Sequence, residues 1–304
     1  MLATACDVRC PLTGSPDVRL VETIATEPLV EQWRQLFGVD IESELDACEA
    51  IQLYESPAAS LRFFYPAAVA GSDRLYEQLN ALPWYYLPHR WEHQQALRDL
   101  RGSHRALEIG CGEGAFVQRM LEAGLEAEGL EINSRAAATA ARRGLPVRLA
   151  DLHEIAAQRP RSYDAVCSFQ VLEHVPDPRA FLESAAALVR PGGKLLLAVP
   201  NQESYLQHLP HPLNMPPHHM TQWTAATFRS LEGMLNLRVA AIRREPLARC
   251  HVPGYITAYG DHYREKSPLL WNDWTLWTWK RSLKLGLRRW CVGQCLYVAL
   301  EVGS

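Results

Sequence analysis

From residue 105 onward, short apolar runs alternate with stretches whose apolar positions recur at helical spacing. The strand-like runs fall at 106–109, 127–131, 147–149, 164–168, 195–199 and 237–242. Between them, 115–123 reads as a helix closed by Gly124, and the alanine-rich stretch 134–143 as one that ends at Gly144. Phe181, Leu182, Ala185, Leu188 and Val189 keep a helical stripe behind Asp177 and Pro178, which supply an N-cap and a first-turn proline. A further helix is expected over 224–235. Strands that alternate with helices in this way build parallel βαβ units, so the expected fold class is α/β with a doubly wound sheet. Residues 1–85 break the rhythm: their aromatics and prolines follow no alternation, and they read as a separate module.

Composition narrows the partners more than the fold. The 304 residues are 48% hydrophobic and 21% charged, an ordinary globule with enough apolar material for a sizeable core. A net charge of −3, and an N-terminal module carrying Glu22, Glu27, Glu31, Asp40, Glu42, Glu44, Asp46 and Glu49, disfavour phosphate, so no nucleic-acid partner is expected. Met1 to Asp7 lack the basic start and apolar run of a secretory signal. No stretch approaches the roughly 18 apolar residues of a membrane span. Eight scattered cysteines, with Cys111 and Cys167 inside the alternating region, read as reduced thiols and a cytoplasmic location.

Candidate chemistry begins where the strand at 106–109 runs straight into Gly110, Gly112 and Gly114. A parallel strand followed by a glycine-rich turn lets backbone approach a ligand and aims a helix N-terminus at it, which makes a nucleotide site. Gly110, Gly112 and Ala115 satisfy a dinucleotide pattern, while Gly110, Gly112 and Gly114 give G-x-G-x-G. Glu108 favours the second, because a carboxylate there suits a ligand carrying an ammonium group and would repel a pyrophosphate. S-adenosylmethionine is such a ligand.

Glu108 to Gly114 resembles motif I of class I S-adenosylmethionine-dependent methyltransferases. Further phrases at the right spacings strengthen the resemblance: Glu131 at the end of the second strand, Asp151-Leu152 after the third, Ser168 to Val175 after the fourth, and Pro191-Gly192-Gly193-Lys194 before the fifth. It implies a Rossmann-like sheet of seven strands, the seventh antiparallel and inserted between the fifth and sixth. Only 296–302 has the pattern for that strand, which makes 245–293 an insertion, expected to form an acceptor-side lid. It also implies cofactor contacts from Glu108, Gly110, Cys111, Gly112, Gly114, Glu131, Ile132, Asp151, Leu152, Ser168, Phe169 and Gln170, with Tyr86 and Arg90 folding over the methionine end. Cys10 to Gly14 and the stretch 53–66 resemble the two knuckles of a zinc ribbon found ahead of some bacterial methyltransferases. Its metal positions hold Cys10, Thr13, Ser56 and Ala59, so the ribbon is degenerate. Cys6 stands four residues before Cys10 as an unusual second thiol. The implied organisation is a ribbon-like module over 1–85 and a methyltransferase domain over 86–304.

Methyl transfer from a sulfonium needs positioning and, for an oxygen or carbon acceptor, removal of a proton. The candidate bases are His174, after the fourth strand, and His218 and His219, in a turn where Trp223 would join His219 in lining the acceptor pocket. His208, His211, His218 and His219 could suggest zinc, but no helical i, i+4 pair or C-x-x-C partner supports it, so no metal is expected. The expected function is methylation of a small molecule, a sugar, sugar nucleotide or secondary metabolite, with O-methylation favoured. The alternative is an inactive cofactor-binding regulatory or scaffolding protein. Tryptophans and cations over 271–291 suit a phosphorylated sugar, a peripheral membrane contact or another subunit.

Overall fold

The computed structural model describes residues 8–46, 48–82, 85, 89–264 and 266–303. The chain opens with β1 (Arg19–Ala25), α1 (Thr26–Phe37), α2 (Glu42–Leu45), β2 (Ala50–Ser56), β3 (Leu61–Tyr65), α3 (Asp73–Asn80) and α4 (Trp91–Asp99). The alternating part follows as β4 (Arg105–Ile109), α5 (Ala115–Glu122), β5 (Glu126–Glu131), α6 (Ser134–Arg142), β6 (Val147–Leu149), α7 (Leu152–Gln158), β7 (Tyr163–Phe169), α8 (Pro178–Leu188) and β8 (Val189–Pro200). It closes with β9 (Thr221–Gln222), α9 (Ala225–Ser230), β10 (Leu237–Pro246), α10 (Val252–Arg264), α11 (Asp273–Leu285) and β11 (Val292–Val302).

The larger sheet has the order β10-β11-β8-β7-β4-β5-β6. Strands β4 to β8 are parallel, and β11 runs antiparallel to both β8 and β10. This is the seven-stranded Rossmann-like arrangement that the resemblance implies. Its central strands read as continuous apolar runs because both faces are covered. Leu195, Leu197 and Val199 join Leu296, Val298 and Leu300 in one core, while Leu196 and Ala198 join Tyr297 and Ala299 in the other.

Element ends move where tertiary pairing overrides local pattern. β10 and β11 pair from Leu237–Val302 to Pro246–Val292, longer than either apolar run. The helix expected over 224–235 stops at Ser230 and tightens into a 3-10 turn, Leu231–Gly233. Ser230 Oγ donates to the carbonyls of Thr227 and Ala59, which draws the last turn toward i→i+3 bonding.

A second sheet, β1-β2-β3-β9, is antiparallel, and its last strand comes from beyond β8. Val8, Cys10, Leu12, Tyr54, Ala59, Leu61 and Phe63 share one apolar cluster with the larger sheet, so the core is continuous across residue 85. Cys10 to Gly14 closes a turn, with Gly14 N–H donating to the Cys10 carbonyl at 2.8 Å, and Ser56 pairs with Leu61 across the β2–β3 hairpin. The four positions where a ribbon would carry thiolates hold the buried Cys10, the half-buried Thr13, the buried Ser56 and the buried Ala59, a donor set that does not fit zinc. Cys6 lies outside the described residues.

Two half-buried carboxylates tie the layers together. Asp99, at the end of α4, accepts both guanidinium nitrogens of Arg243, at 2.5 and 2.9 Å, and the Tyr297 hydroxyl at 2.8 Å. Glu128, on β5, accepts from Tyr163 at 2.8 Å and pairs with Arg105, Arg148 and Arg159. Burial alone would raise both carboxyls, but these partners outweigh it and hold both below the ordinary range. A folded pKa below the unfolded one adds stability that is present above the unfolded value, about 4, and is lost as pH falls through the folded value. The melting temperature is therefore expected to drop below about pH 4, and to drop less in Glu128→Gln, which cannot titrate there. Identical acid profiles for parent and variant would remove Glu128 from this account.

Candidate active site

The glycine turn after β4 is held by sterics. Gly110 has φ +69°, and a Cβ there would lie 2.4 Å from Val171 Cγ2, in the loop after β7. Gly114 has φ +77°, with Leu145 Cδ1 2.8 Å from the corresponding point. An L side chain at either position meets both the left-handed backbone penalty and a clash, so only glycine fits at both. The Cys111 side chain packs against Gly129 and leaves only its backbone for ligand contact.

Two carboxylates sit beneath this turn. Glu108 is 4% exposed and one of its oxygens has no hydrogen-bond partner among the described residues; burial, then the charge of Glu131, pushes its pKa well above the ordinary value, against the pull of Arg90. Glu131 accepts from the amides of Gly112 at 2.7 Å, Ile132 at 2.9 Å and Asn133 at 2.8 Å. Burial outweighs these bonds and raises its pKa as well. The amides fill three of a carboxylate's roughly four acceptor positions and leave one for a ribose hydroxyl. An orphaned buried carboxylate beside a second one fits a ligand that brings positive charge and hydroxyls. Ile132, 64% exposed, and the exposed Leu149 form an apolar ledge at the ends of β5 and β6. Beside it Asp151 caps α7, accepting from His153 N and Glu154 N, over the buried Leu152. Together these residues present the carboxylate acceptors and the apolar surface that a ligand with an ammonium group, ribose hydroxyls and a purine requires.

The end of β7 contributes less than its residue types suggest. Ser168 Oγ donates to the Ile109 carbonyl at 3.1 Å, and the Phe169 ring packs edge-on to Phe116 and against His93, so neither side chain faces the site. Gln170 has φ +56° and turns its amide toward Glu92 and Cys295. Arg90 lies 3.8 Å from the buried Glu92 and within bonding distance of the Tyr85 carbonyl. Tyr86 lies outside the described residues.

The three candidate bases converge. One ring nitrogen from each of His174, His218 and His219 lies within 4.8 Å of those of the other two. His174 Nδ1 is 2.6 Å from the His218 carbonyl, His218 Nδ1 is 2.9 Å from the Leu213 carbonyl, and His219 Nδ1 is 3.2 Å from Asn214 Oδ1. Carbonyl oxygens only accept, so each Nδ1 carries the hydrogen and each Nε2 the lone pair. Burial holds all three rings below the ordinary histidine value and keeps them neutral, His174 at about 4. Tyr85 Oη reaches His218 Nε2 at 3.1 Å. Glu173, 1% exposed and with neither oxygen hydrogen-bonded among the described residues, lies 3.9 Å from His174 Nε2 and 4.0 Å from His219 Nε2; burial pushes it up to about 8.

Other loop residues go elsewhere. Trp223 does not line a pocket: its indole is fully buried, donates to Thr221 Oγ1 and stacks on Phe228, because the core beneath β9 needs a large apolar side chain. His211 accepts from Leu213 N, and His208 stacks on His262 of α10 at 4.0 Å. Sequence reasoning missed Glu173, Glu92 and Asn214; an acid inside the apolar phrase Val171-Leu172-Glu173-His174-Val175 was the available signal.

In the insertion, Tyr255 and Tyr259 pack with Tyr205, Trp271 and Trp279, placing α10 against the segment that follows β8. Trp274, Trp277 and Trp290 are exposed, Trp290 by 88%, beside the exposed Leu269, Leu270, Leu285 and Leu287. Among the described residues no helix is long and apolar enough to cross a membrane.

The ubiquinone biosynthesis O-methyltransferase of Xanthomonas oryzae pv. oryzae is 34% identical over 121 residues, 38% of this chain and 50% of that protein. That of Bordetella pertussis is 33% identical over 115 residues, 36% and 47% of the two chains. The chain spans about half the length of the curated relatives it matches. Solved S-adenosylmethionine-dependent methyltransferases from Archaeoglobus fulgidus and Mesorhizobium loti align at TM-scores of 0.45 and 0.47. They are 18% and 16% identical and cover 69% and 73% of this chain and 94% and 99% of their own. The sequence model of the methyltransferase domain matches residues 83–241, just over half of the chain, across the motifs and the sheet described above. The chain therefore belongs to the methyltransferase-domain family, in its class I form with S-adenosylmethionine as cosubstrate.

Proposed function

We propose that the protein methylates a hydroxyl of a small molecule, a sugar, sugar nucleotide or secondary metabolite. The observation that carries the reading is the buried His174–His218–His219 group, with Glu173, on the loop whose Val171 packs against the Gly110 turn. S-adenosylmethionine, when bound, supplies an electrophilic methyl group and its own leaving group. The chain has to bind it, exclude water and accept the hydroxyl proton. The neutral imidazoles of His174 and His219, with Nδ1–H anchored on carbonyl oxygens, offer Nε2 lone pairs for that proton, while His218 Nε2 accepts from the Tyr85 hydroxyl. The curated relatives' names favour an oxygen acceptor.

The test is transfer from methyl-labelled S-adenosylmethionine to a panel of sugars, sugar nucleotides and hydroxylated metabolites. Label recovered in a methyl ether supports the reading. Label on nitrogen or carbon would correct the acceptor atom, and bound cofactor with no transfer would favour the scaffolding alternative.

The same reading makes 245–293 the acceptor-side lid and sets residues 271–291 against a membrane surface or a second subunit. Exposed Trp274, Trp277 and Trp290 beside Lys280, Arg281, Lys284, Arg288 and Arg289 support it. Each basic residue near an anionic surface contributes about 1 kcal/mol, so Lys284→Gln/Arg288→Gln/Arg289→Gln is expected to weaken binding to phosphatidylserine-containing vesicles by about 100-fold. Unchanged vesicle binding, oligomeric state, cofactor affinity and turnover would leave the segment a structural brace.

A further inference from the structure

We propose that His174, His218 and His219, with Glu173 beside them, form a binding site for a divalent first-row metal ion, zinc in the first instance. Each histidine has its Nδ1 on a carbonyl oxygen, the outer-shell arrangement that fixes the tautomer; it leaves the Nε2 lone pairs of His174 and His219 open, while His218 Nε2 accepts from the Tyr85 hydroxyl at 3.1 Å and has to exchange that hydrogen bond for the metal. An independent observation points to a cation at the same place. The Glu173 carboxyl is 1% exposed, neither oxygen has a hydrogen-bond partner among the described residues, and one of them lies 3.9 and 4.0 Å from two of those nitrogens. A native fold seldom leaves both oxygens of a buried carboxyl unmatched, and a cation would satisfy them.

The scaffold is rigid where the ligands are. Met220 N and Thr221 N both bond the Glu173 carbonyl, at 2.7 and 3.1 Å, and His174 N bonds the Val171 carbonyl at 2.9 Å, so the two loops that bring the donors are locked together by backbone. Donors on a tetrahedral zinc stand about 3.4 Å apart, so nitrogens spread over 4.8 Å have to close by about 1.4 Å, and because the His218 and His219 rings stack at 20° one of them also has to turn so that the metal lies in both ring planes. Three imidazoles and one carboxylate suit zinc and its first-row neighbours and are too nitrogen-rich for magnesium or calcium. The site is separate from the degenerate ribbon, whose positions hold one thiol and no imidazole.

The inference uses the side chains assigned above to the acceptor, so its test reads metal without any acceptor. Protein stripped with a chelator is titrated with zinc by calorimetry, and with cobalt as a spectroscopic probe. The expected result is one equivalent per chain, a cobalt spectrum without thiolate charge-transfer bands, and affinity at least about 100-fold weaker in His174→Ala/His219→Ala. Glu173→Gln should bind more weakly than the parent, and Cys6→Ser/Cys10→Ser should bind like it. No stoichiometric metal in the parent, a thiolate cobalt spectrum, or unchanged affinity in a folded double-histidine variant would each overturn the proposal. The cobalt spectrum of the parent decides the ligands even where that variant does not fold. S-adenosylmethionine affinity measured on the same samples separates loss of the metal from failure of the methyltransferase reading.

Discussion

Changing His219 to alanine is expected to lower kcat for methyl transfer by about 10²- to 10⁴-fold, the usual contribution of a positioned base, with cofactor affinity nearly unchanged. The ring is buried, its Nδ1–H is spent on Asn214, and its Nε2 stands beside His174 and Glu173. Asn214→Ala, which frees the ring without removing it, should fall between parent and His219→Ala. Burial, then the neighbouring rings, keeps the His219 pKa well below 6.5, so protonation should not switch the base off near neutrality. The rate is accordingly expected to stay level as pH falls from 7 through 6, whereas an exposed histidine would lose its lone pair near 6.5. Steady-state kinetics decide the matter: a variant within a few-fold of parent kcat, or an acid limb near 6.5, would remove His219 from proton transfer. Repeating the measurement on chelator-stripped protein separates a base from a metal ligand, since only a base keeps its activity without metal.

Glu131→Ala is expected to weaken S-adenosylmethionine and its demethylated product by tenfold or more, from the loss of about 1.5–3 kcal/mol of charge-assisted hydrogen bonding. The side chain does two jobs. It holds the Gly112, Ile132 and Asn133 amides that shape the turn, and on the proposed reading its remaining acceptor position takes a ribose hydroxyl. Glu131→Gln preserves the volume but loses the second acceptor oxygen, so it should bind better than alanine and worse than the parent. Calorimetry with the demethylated product is the measurement. Unchanged affinity in the alanine variant, or preference of the parent for a nicotinamide dinucleotide, would sink the assignment.

How legible this chain was depended on the range of the interaction concerned. The parallel strands were legible because both faces of the sheet are buried, and the glycine turn because positive φ at Gly110 and Gly114 is written in residue type. Even the late position of the last strand followed, since only one stretch after β10 had the apolar pattern to fill the gap. Trp223 went the other way. An indole near a candidate base reads as pocket lining, and only the packing of Phe228 against it shows a core residue. Ser168 and Phe169 were likewise named from a motif whose side chains here serve the interior.

What the sequence by itself determined is therefore the fold class, the cofactor turn and the identity of the titratable groups, because periodicity, backbone sterics and side-chain chemistry act over a few neighbouring residues. What only the tertiary structure decided is which of those groups meet. His174 stands 44 residues before His218, and no local spacing relates them. They converge because the Glu173 carbonyl takes the Met220 and Thr221 amides, a long-range pairing that forms only once the sheet has placed both loops at its carboxyl edge. Burial of Glu173 and exposure of Trp290 belong to the same class. Solvent access is a property of the packed whole, and no residue carries it in its own covalent structure.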